Sequence, residues 1–409
     1  MLWKKHIVTL LSLSLLSSAA LAAGPLASEQ VVVAPPCLIK NMSGNYKVLS
    51  SQRELALIAV DHAGIEQLIE AKHPHQASPC GAFMDVTDAW RSFSAAHPVT
   101  AKNANQFLAQ YLAPTKSLAT ESVIYSIRYQ NQVKQAFNLL NPQMMWDNLT
   151  TLTNFNDRYA DSDNGVKAAN WLKSQVETMA KEFHRDDVTV YTVATGSRYM
   201  QPSVVAKFGN SSEPAVLIGG HMDTLSGTFS KKPGADDDGS GTVTVLETAR
   251  TILSSGMNFK RPIYFVWYAA EEEGLVGSSY VVADFKKKNI PVHAVMQLDM
   301  TGYAYKNQPD IWLIKDYVNK DLTSYLEQLV NTYVKQPVKY TQCGYACSDH
   351  ASWTQGGFAS AMPSESSYEN MNHSIHSSQD TMEKLSLSHM TDFVKLGVAF
   401  TVELAEPTA

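Results

Sequence analysis

The chain has 409 residues, 44% of them hydrophobic and 18% charged, and its 33 basic and 39 acidic residues leave a formal net charge of -6. This globular composition excludes an intrinsically disordered chain, and so mild a charge excludes a polybasic footprint for nucleic acid or an anionic membrane. The length allows a large core and two domains.

Lys4 and Lys5 precede the apolar run IVTLLSLSLL, and SSAALAAG then offers an Ala20-Leu21-Ala22 cleavage pattern. Residues 1–22 therefore read as a secretory signal peptide. A membrane anchor is the weaker reading, because the run falls short of the roughly 20 residues that span a bilayer. The mature protein is expected to be soluble, free of the membrane, and exported to the periplasm or the medium.

Residues 24–118 carry strand-like runs (QVVVAP, LALIAV), a helical candidate at IEQLIEAKH and no convergent polar cluster. They read as an accessory pro-region. The stretch LAPTKSLATES, 112–122, is an expected exposed junction where an activating protease would cut. The catalytic domain is then 119–409.

Four cysteines in an exported chain predict two disulfides, and the local pairing, Cys37 with Cys80 and Cys343 with Cys347, is the simplest of three. The CGYAC spacing would also suit a metal clip or a redox pair. A structural disulfide pinning a tight loop is preferred, since an oxidising compartment removes free thiolates.

Beyond about 120 the pattern alternates between helices and strands, which predicts an α/β fold with a mostly parallel central sheet flanked by helices. GVKAANWLKSQVETMAKEF reads as a helix, VTVYTVAT and SVVAKFG as strands, AVLIGG as a buried strand and TVTVLETARTILSS as a helix. PIYFVWYAA and HAVMQLDM are further buried strands. In such sheets, ligands gather beyond the carboxyl ends of the strands.

Polar residues fall at those ends. His221 and Asp223 follow AVLIGG, Glu271, Glu272 and Glu273 follow YFVWYAA, and Asp299 closes HAVMQLD. A single acidic run is usually a solvated face, but solvated faces do not recur at the same end of successive buried strands. Imidazole and carboxylate without thiolate suit zinc first, then manganese or cobalt. There are too many ligands for one ion, and two metals roughly 3.5 to 4 Å apart need a bridging carboxylate. GADDDGSG, holding Asp236, Asp237 and Asp238, is the natural supplier.

Consecutive glutamates point different ways, so one can bind metal while its neighbour faces the attacking water as general base. A missing imidazole is expected farther on. His373 and His376 are the candidates, with His350 and His389 also open and His389 expected at the surface of a C-terminal helix. A nucleophilic set of Ser348, Asp349 and His350 is disfavoured, because triads assemble from separate loops. Support of the pocket is their expected role.

Through GGHMDT, GADDDGSG, YAAEEEGLVGS, QLDMT, CGYACSDHASW and IHSSQDT, residues 120–405 resemble the zinc-dependent aminopeptidases of peptidase family M28, specifically the secreted bacterial leucyl aminopeptidases. The resemblance implies the zinc-exopeptidase fold and two Zn2+ per chain. It makes His221 and Asp299 ligands of the first zinc, Glu272 and His376 of the second, and Asp237 the bridge. It makes Glu271 the general base, Asp223 the carboxylate that orients His221, and Tyr345 the hydrogen-bond donor to the developing oxyanion. It leaves Glu273 as a solvated neighbour.

By the same resemblance Met300, Cys347, Met362 and Ile375 wall the pocket for an apolar N-terminal side chain, Leu-like, Met or aromatic. Ser364 stands where close relatives carry Phe, and Tyr368 and Met371 also depart from the relatives' aromatics, which predicts a roomier, more polar pocket. Peptides with a free N-terminus are the implied substrates. The rivals are a same-fold carboxypeptidase, a single-zinc glutaminyl cyclase-like enzyme and an exported binding protein without catalysis. The first needs a cationic clamp, and Arg198, Arg250 and Arg261 fall in no matched block.

Overall fold

A computed structural model describes residues 28–408 apart from 41, 45, 53–54, 72–81 and 113–122. The expected signal peptide, Cys80 and nearly all of the expected cleavage junction lie outside the described residues.

The N-terminal unit is built on β1 (Gln30–Ala34), β2 (Tyr46–Gln52), β3 (Leu55–Val60) and β4 (Met84–Asp85), an antiparallel sheet in the order β2-β3-β1-β4. Side chains alternate between its two faces. Val31 and Val33 join Trp90, Phe107 and Leu108 on one side, while Val32 and Ala34 join Ile65 and Leu68 on the other. The helices supplying these layers are α1 (Pro36–Lys40), α2 (His62–Ala71), α3 (Thr87–Ala96) and α4 (Ala101–Leu112). The expected strands and α2 are present; α3 and α4 were not expected, because small and polar residues dilute their periodicity. Cys37, in α1, is disulfide-bonded.

The second unit opens with α5 (Gln130–Phe137), α6 (Pro142–Thr153) and α7 (Asp163–Glu182), followed by β5 (Val188–Val193), β6 (Ser203–Phe208) and β7 (Ala215–His221). Then come α8 (Gly241–Ser254), β8 (Ile263–Tyr268), α9 (Val276–Lys287), β9 (Val292–Gln297), β10 (Ile311–Ile314), α10 (Lys320–Leu329), β11 (Val338–Thr341), α11 (His350–Gln355), β12 (Ser360–Ala361), β13 (Pro363–Ser364) and α12 (Leu387–Ala405). Six strands form one sheet, β12-β9-β7-β8-β6-β5, whose first four members are parallel and whose last two are antiparallel. β10 pairs parallel with β11 and antiparallel with β13 in a small second sheet.

The apolar strands are covered on both faces, as a parallel sheet requires. Val216, Ile218, Phe265 and Trp267 pack with α6, α7, α8 and α12, whereas Leu217, Val266 and Tyr268 pack with α9 and Trp353. Each large side chain so buried contributes about 1.5–3 kcal/mol of transfer free energy. Among the described residues, no helix is long and apolar enough to cross a membrane.

The two units share a core. Leu275, Ala346 and Ala351 of the second join Val31, Trp90 and Phe107 of the first, and Leu225 joins Ile58 and Phe83. The Asp85 N–H donates to the Gly274 carbonyl at 2.9 Å, and Arg198 pairs with Asp85 at 2.8 Å. Gly274 has φ +100°, and a Cβ there would meet Asp85 N at 2.7 Å, so no larger residue fits this docking point.

Candidate active site

β7, β8 and β9 are parallel neighbours, so the residues following them emerge at one edge. His221 closes β7, Glu271 and Glu272 follow β8, and Asp299 follows β9. The turn 234–240 fills the space between these ends and leads into α8. Gly234 lets it turn: at φ +52°, a Cβ would lie 2.3 Å from Thr224 Cγ2. Arg158, fully buried and unmarked by any motif, donates to the Met222, Pro233 and Gly234 carbonyls at 2.6–2.9 Å.

The Asp237 carboxylate is shared between two imidazoles. Oδ1 lies 3.0 Å from His221 Nε2 and Oδ2 lies 2.9 Å from His376 Nε2. Around the first imidazole, Asp299 Oδ1 is 3.7 Å away and Glu271 Oε2 is 4.0 Å away. Around the second, Glu272 Oε2 is 3.1 Å away. Asp237, Glu272 and His376 form one set of converging ligand atoms, and His221, Asp238 and Asp299 form another. Asp238 is already engaged, however, accepting from the N–H groups of His221, Gly241 and Met300 at 2.8–3.1 Å.

The donor set fits zinc: two imidazoles and buried carboxylates, with no thiolate among them. Four carboxylates, Asp237, Glu271, Glu272 and Asp299, face two imidazoles, an excess of buried negative charge that divalent cations would offset. Burial would raise the Asp237 carboxyl, but His221 and His376 hold it well below the usual carboxylate range. Burial would likewise lower His376, yet Glu272 and Asp237 push it up to about 10.

Neighbours fix these groups. Asp223 accepts from the Glu271 and Glu272 N–H groups at 3.1 and 3.2 Å and lies 3.4 Å from His221 Nδ1. Ser348 Oγ donates to Asp299 Oδ2 at 2.5 Å, while His350 faces the Asp316 carbonyl and burial pushes its pKa down to about 4. Ser348 and His350 therefore point to different partners, which rules against a nucleophilic triad and agrees with the expected supporting role. Asp380, given no role by the sequence, accepts from the Asp236 and Asp237 N–H groups at 3.0 and 3.1 Å.

Two expectations need correction. Glu273 is 2% exposed, so it is not a solvated neighbour. His389 is buried against the Glu365 carbonyl at 3.3 Å rather than at the surface. A charged or polar residue on an apolar helix reads as exposed until the packing partner is known. His373 is exposed and takes no part in the cluster.

Beside the cluster opens a cavity of about 90 Å³. Met300, Met362, Ile375 and Cys347 line it, together with Ile314, Ser364, Tyr368 and Met371. Cys343 and Cys347 form the expected disulfide, and Tyr345 between them also faces the cavity. Burial and the adjacent Tyr368 push the Tyr345 phenol well up, so it is a neutral donor. Ala82 brings the N-terminal unit to the rim.

The model of peptidase family M28 matches residues 203–401. Leucine aminopeptidase 1 of Penicillium rubens is 36% identical over 308 residues, covering 71% of this chain and 79% of that one. The chain belongs to peptidase family M28. It is similar to two crystal structures from Legionella pneumophila: the LapA aminopeptidase, with 40% identity and a TM-score of 0.82, and LapB, with 38% and 0.83. These cover 93% and 92% of this chain and 99% and 100% of their own, so the likeness reaches into the N-terminal unit. The M28 enzyme is thus a metallo-aminopeptidase with the fold class its sequence implied.

Proposed function

We propose that this M28 enzyme is an exported di-zinc aminopeptidase that removes apolar N-terminal residues from peptides. The observation that carries the two-metal reading is the division of Asp237 Oδ1 and Oδ2 between His221 and His376. His221, Asp237 and Asp299 would hold one zinc, and Asp237, Glu272 and His376 the other. Zinc, when bound, polarises the scissile carbonyl and makes water a better acid.

The chain's own groups do the rest. Glu271, on the cavity wall, takes the proton of the attacking water and returns it to the leaving amine. Tyr345 donates to the oxygen that gains negative charge. Met300, Met362, Ile375 and Cys347 exclude water around the N-terminal side chain. Ser364 widens and polarises that pocket, which supports acceptance of Met and aromatic residues beside leucine.

The carboxypeptidase reading lacks its clamp. Arg198, Arg250 and Arg261 are engaged by Asp85, Glu247 and Glu406, and none lines the cavity. We read the N-terminal unit as a pro-region that restrains the site, because Ala82 lies on the cavity wall.

The test combines zinc content with a panel of aminoacyl p-nitroanilides, an N-acetylated control and Glu271→Gln. About two zinc per chain, hydrolysis of the free but not the blocked substrate, and a loss of 10²–10⁴-fold in kcat on Glu271→Gln are expected. One zinc, cleavage of the blocked substrate or undiminished turnover by Glu271→Gln would each refute its part of this reading.

A further inference from the structure

Tyr345 and Tyr368 meet at the rim of the same cavity. Their hydroxyl oxygens are 3.0 Å apart, and their rings stand edge to face with centroids 5.9 Å apart. Tyr345 is held on the loop closed by Cys343 and Cys347, and Tyr368 by its backbone N–H, which donates to Thr341 Oγ1 at 3.1 Å. Each ring is only half-buried, and both line the cavity that also contains Glu271 and Asp299.

A phenol has one proton to give and two lone pairs to receive. If Tyr345 donates to Tyr368, it has nothing left for the substrate. If Tyr368 donates to Tyr345, the Tyr345 proton is free for the substrate, and each bond of the chain strengthens the next. Only this second arrangement lets Tyr345 stabilise an oxyanion.

We propose that Tyr368 is a positioning residue for Tyr345: its hydroxyl donates to the Tyr345 oxygen, aiming the Tyr345 proton at the reacting carbonyl oxygen and polarising it. The proposal rests on the reading of Tyr345 as the oxyanion donor. Tyr368 acts through Tyr345 and touches no reacting atom.

The test is a double-mutant cycle in the zinc-loaded full chain, with Tyr345→Phe, Tyr368→Phe and the pair, all isosteric. kcat and KM are measured on leucine p-nitroanilide, with affinity for an α-aminoboronic acid and zinc content alongside. Tyr345→Phe should lower kcat on the order of 100-fold, as loss of one oxyanion donor does. Tyr368→Phe should lower it on the order of fivefold, the size of one neutral hydrogen bond, with KM and zinc content unchanged and a matching loss of boronic-acid affinity. In the Tyr345→Phe background, Tyr368→Phe should add nothing.

Additive effects, unchanged kcat in Tyr368→Phe, or a change in KM alone would overturn the proposal and leave Tyr368 a pocket wall. Full activity in Tyr345→Phe would instead remove the donor reading of Tyr345, and the proposal with it. The two failures are therefore told apart by which single variant is silent.

Discussion

Asp223 accepts the backbone N–H of Glu271 at 3.1 Å across 48 residues of sequence. Its other oxygen accepts the Glu272 N–H at 3.2 Å, and Oδ1 stands 3.4 Å from His221 Nδ1. One buried carboxylate thus joins the end of β7 to the end of β8 and sets the proposed base and a proposed ligand together. The family resemblance implied only the orientation of His221.

Asp223→Asn keeps the shape but replaces one acceptor by a donor facing an N–H. It should cost about 10–100-fold in zinc affinity or kcat/KM. Chelator competition and leucine p-nitroanilide kinetics read the two separately. Wild-type values in both would show that these backbone bonds are dispensable.

Asp380 clamps the Asp236 and Asp237 N–H groups, and Ala235 N–H donates to the Asp380 carbonyl at 3.3 Å. The segment that carries His376 therefore grips the turn that carries Asp237. Asp380→Asn cannot accept both N–H groups and should weaken zinc held by His376 and Asp237 by about 10–100-fold. Zinc titration of the metal-free variant checks this; a single site weakened at His221 and Asp299 instead would contradict it.

Zinc uptake should strengthen as pH rises. In the metal-free protein Glu272 and Asp237 push His376 up to about 10, against burial, so its imidazole carries a proton at neutral pH. Zinc takes neutral imidazole, so that proton must leave, and it leaves less readily as pH falls. Calorimetry in buffers of different ionisation heat should find about one or more protons released per chain near pH 7. Affinity independent of pH would contradict the raised His376.

The N-terminal unit offers a further test. It packs on Leu225, Leu275 and Ala346, residues beside Asp223, the Glu271–Glu273 run and Tyr345, and Ala82 reaches the cavity. Full-length enzyme is compared with enzyme cut within 113–122 and freed of residues 28–112. Release should raise kcat/KM severalfold, more for peptides than for leucine p-nitroanilide. Equal activity of the two forms would refute restraint.

Much of the candidate site was legible in the sequence because its candidate ligands follow apolar strands. In a parallel sheet, neighbouring strands carry their carboxyl ends to one edge, so His221, Glu271, Glu272 and Asp299 had to converge once β7, β8 and β9 were paired. The disulfide Cys343–Cys347 was legible for a similar reason, since four residues of separation leave little freedom. Glu273 and His389 were misread because polarity alone predicts solvent. Whether a polar group is buried depends on what packs against it, as the Glu365 carbonyl does against His389 from 24 residues away.

The sequence by itself determined the chemistry: imidazole and carboxylate types, their order, and the scaffold of buried strands that presents them. The family resemblance singled out Asp237, and only the tertiary structure supplies the physical reason that the three adjacent aspartates divide. Asp236 is held by Asn372 and Gly302, Asp238 by three backbone N–H groups, and Asp237 alone turns both oxygens toward imidazoles. Adjacent residues of one type look alike in composition; they become different when hydrogen bonds from other segments engage the oxygens of two and both oxygens of the third face imidazoles.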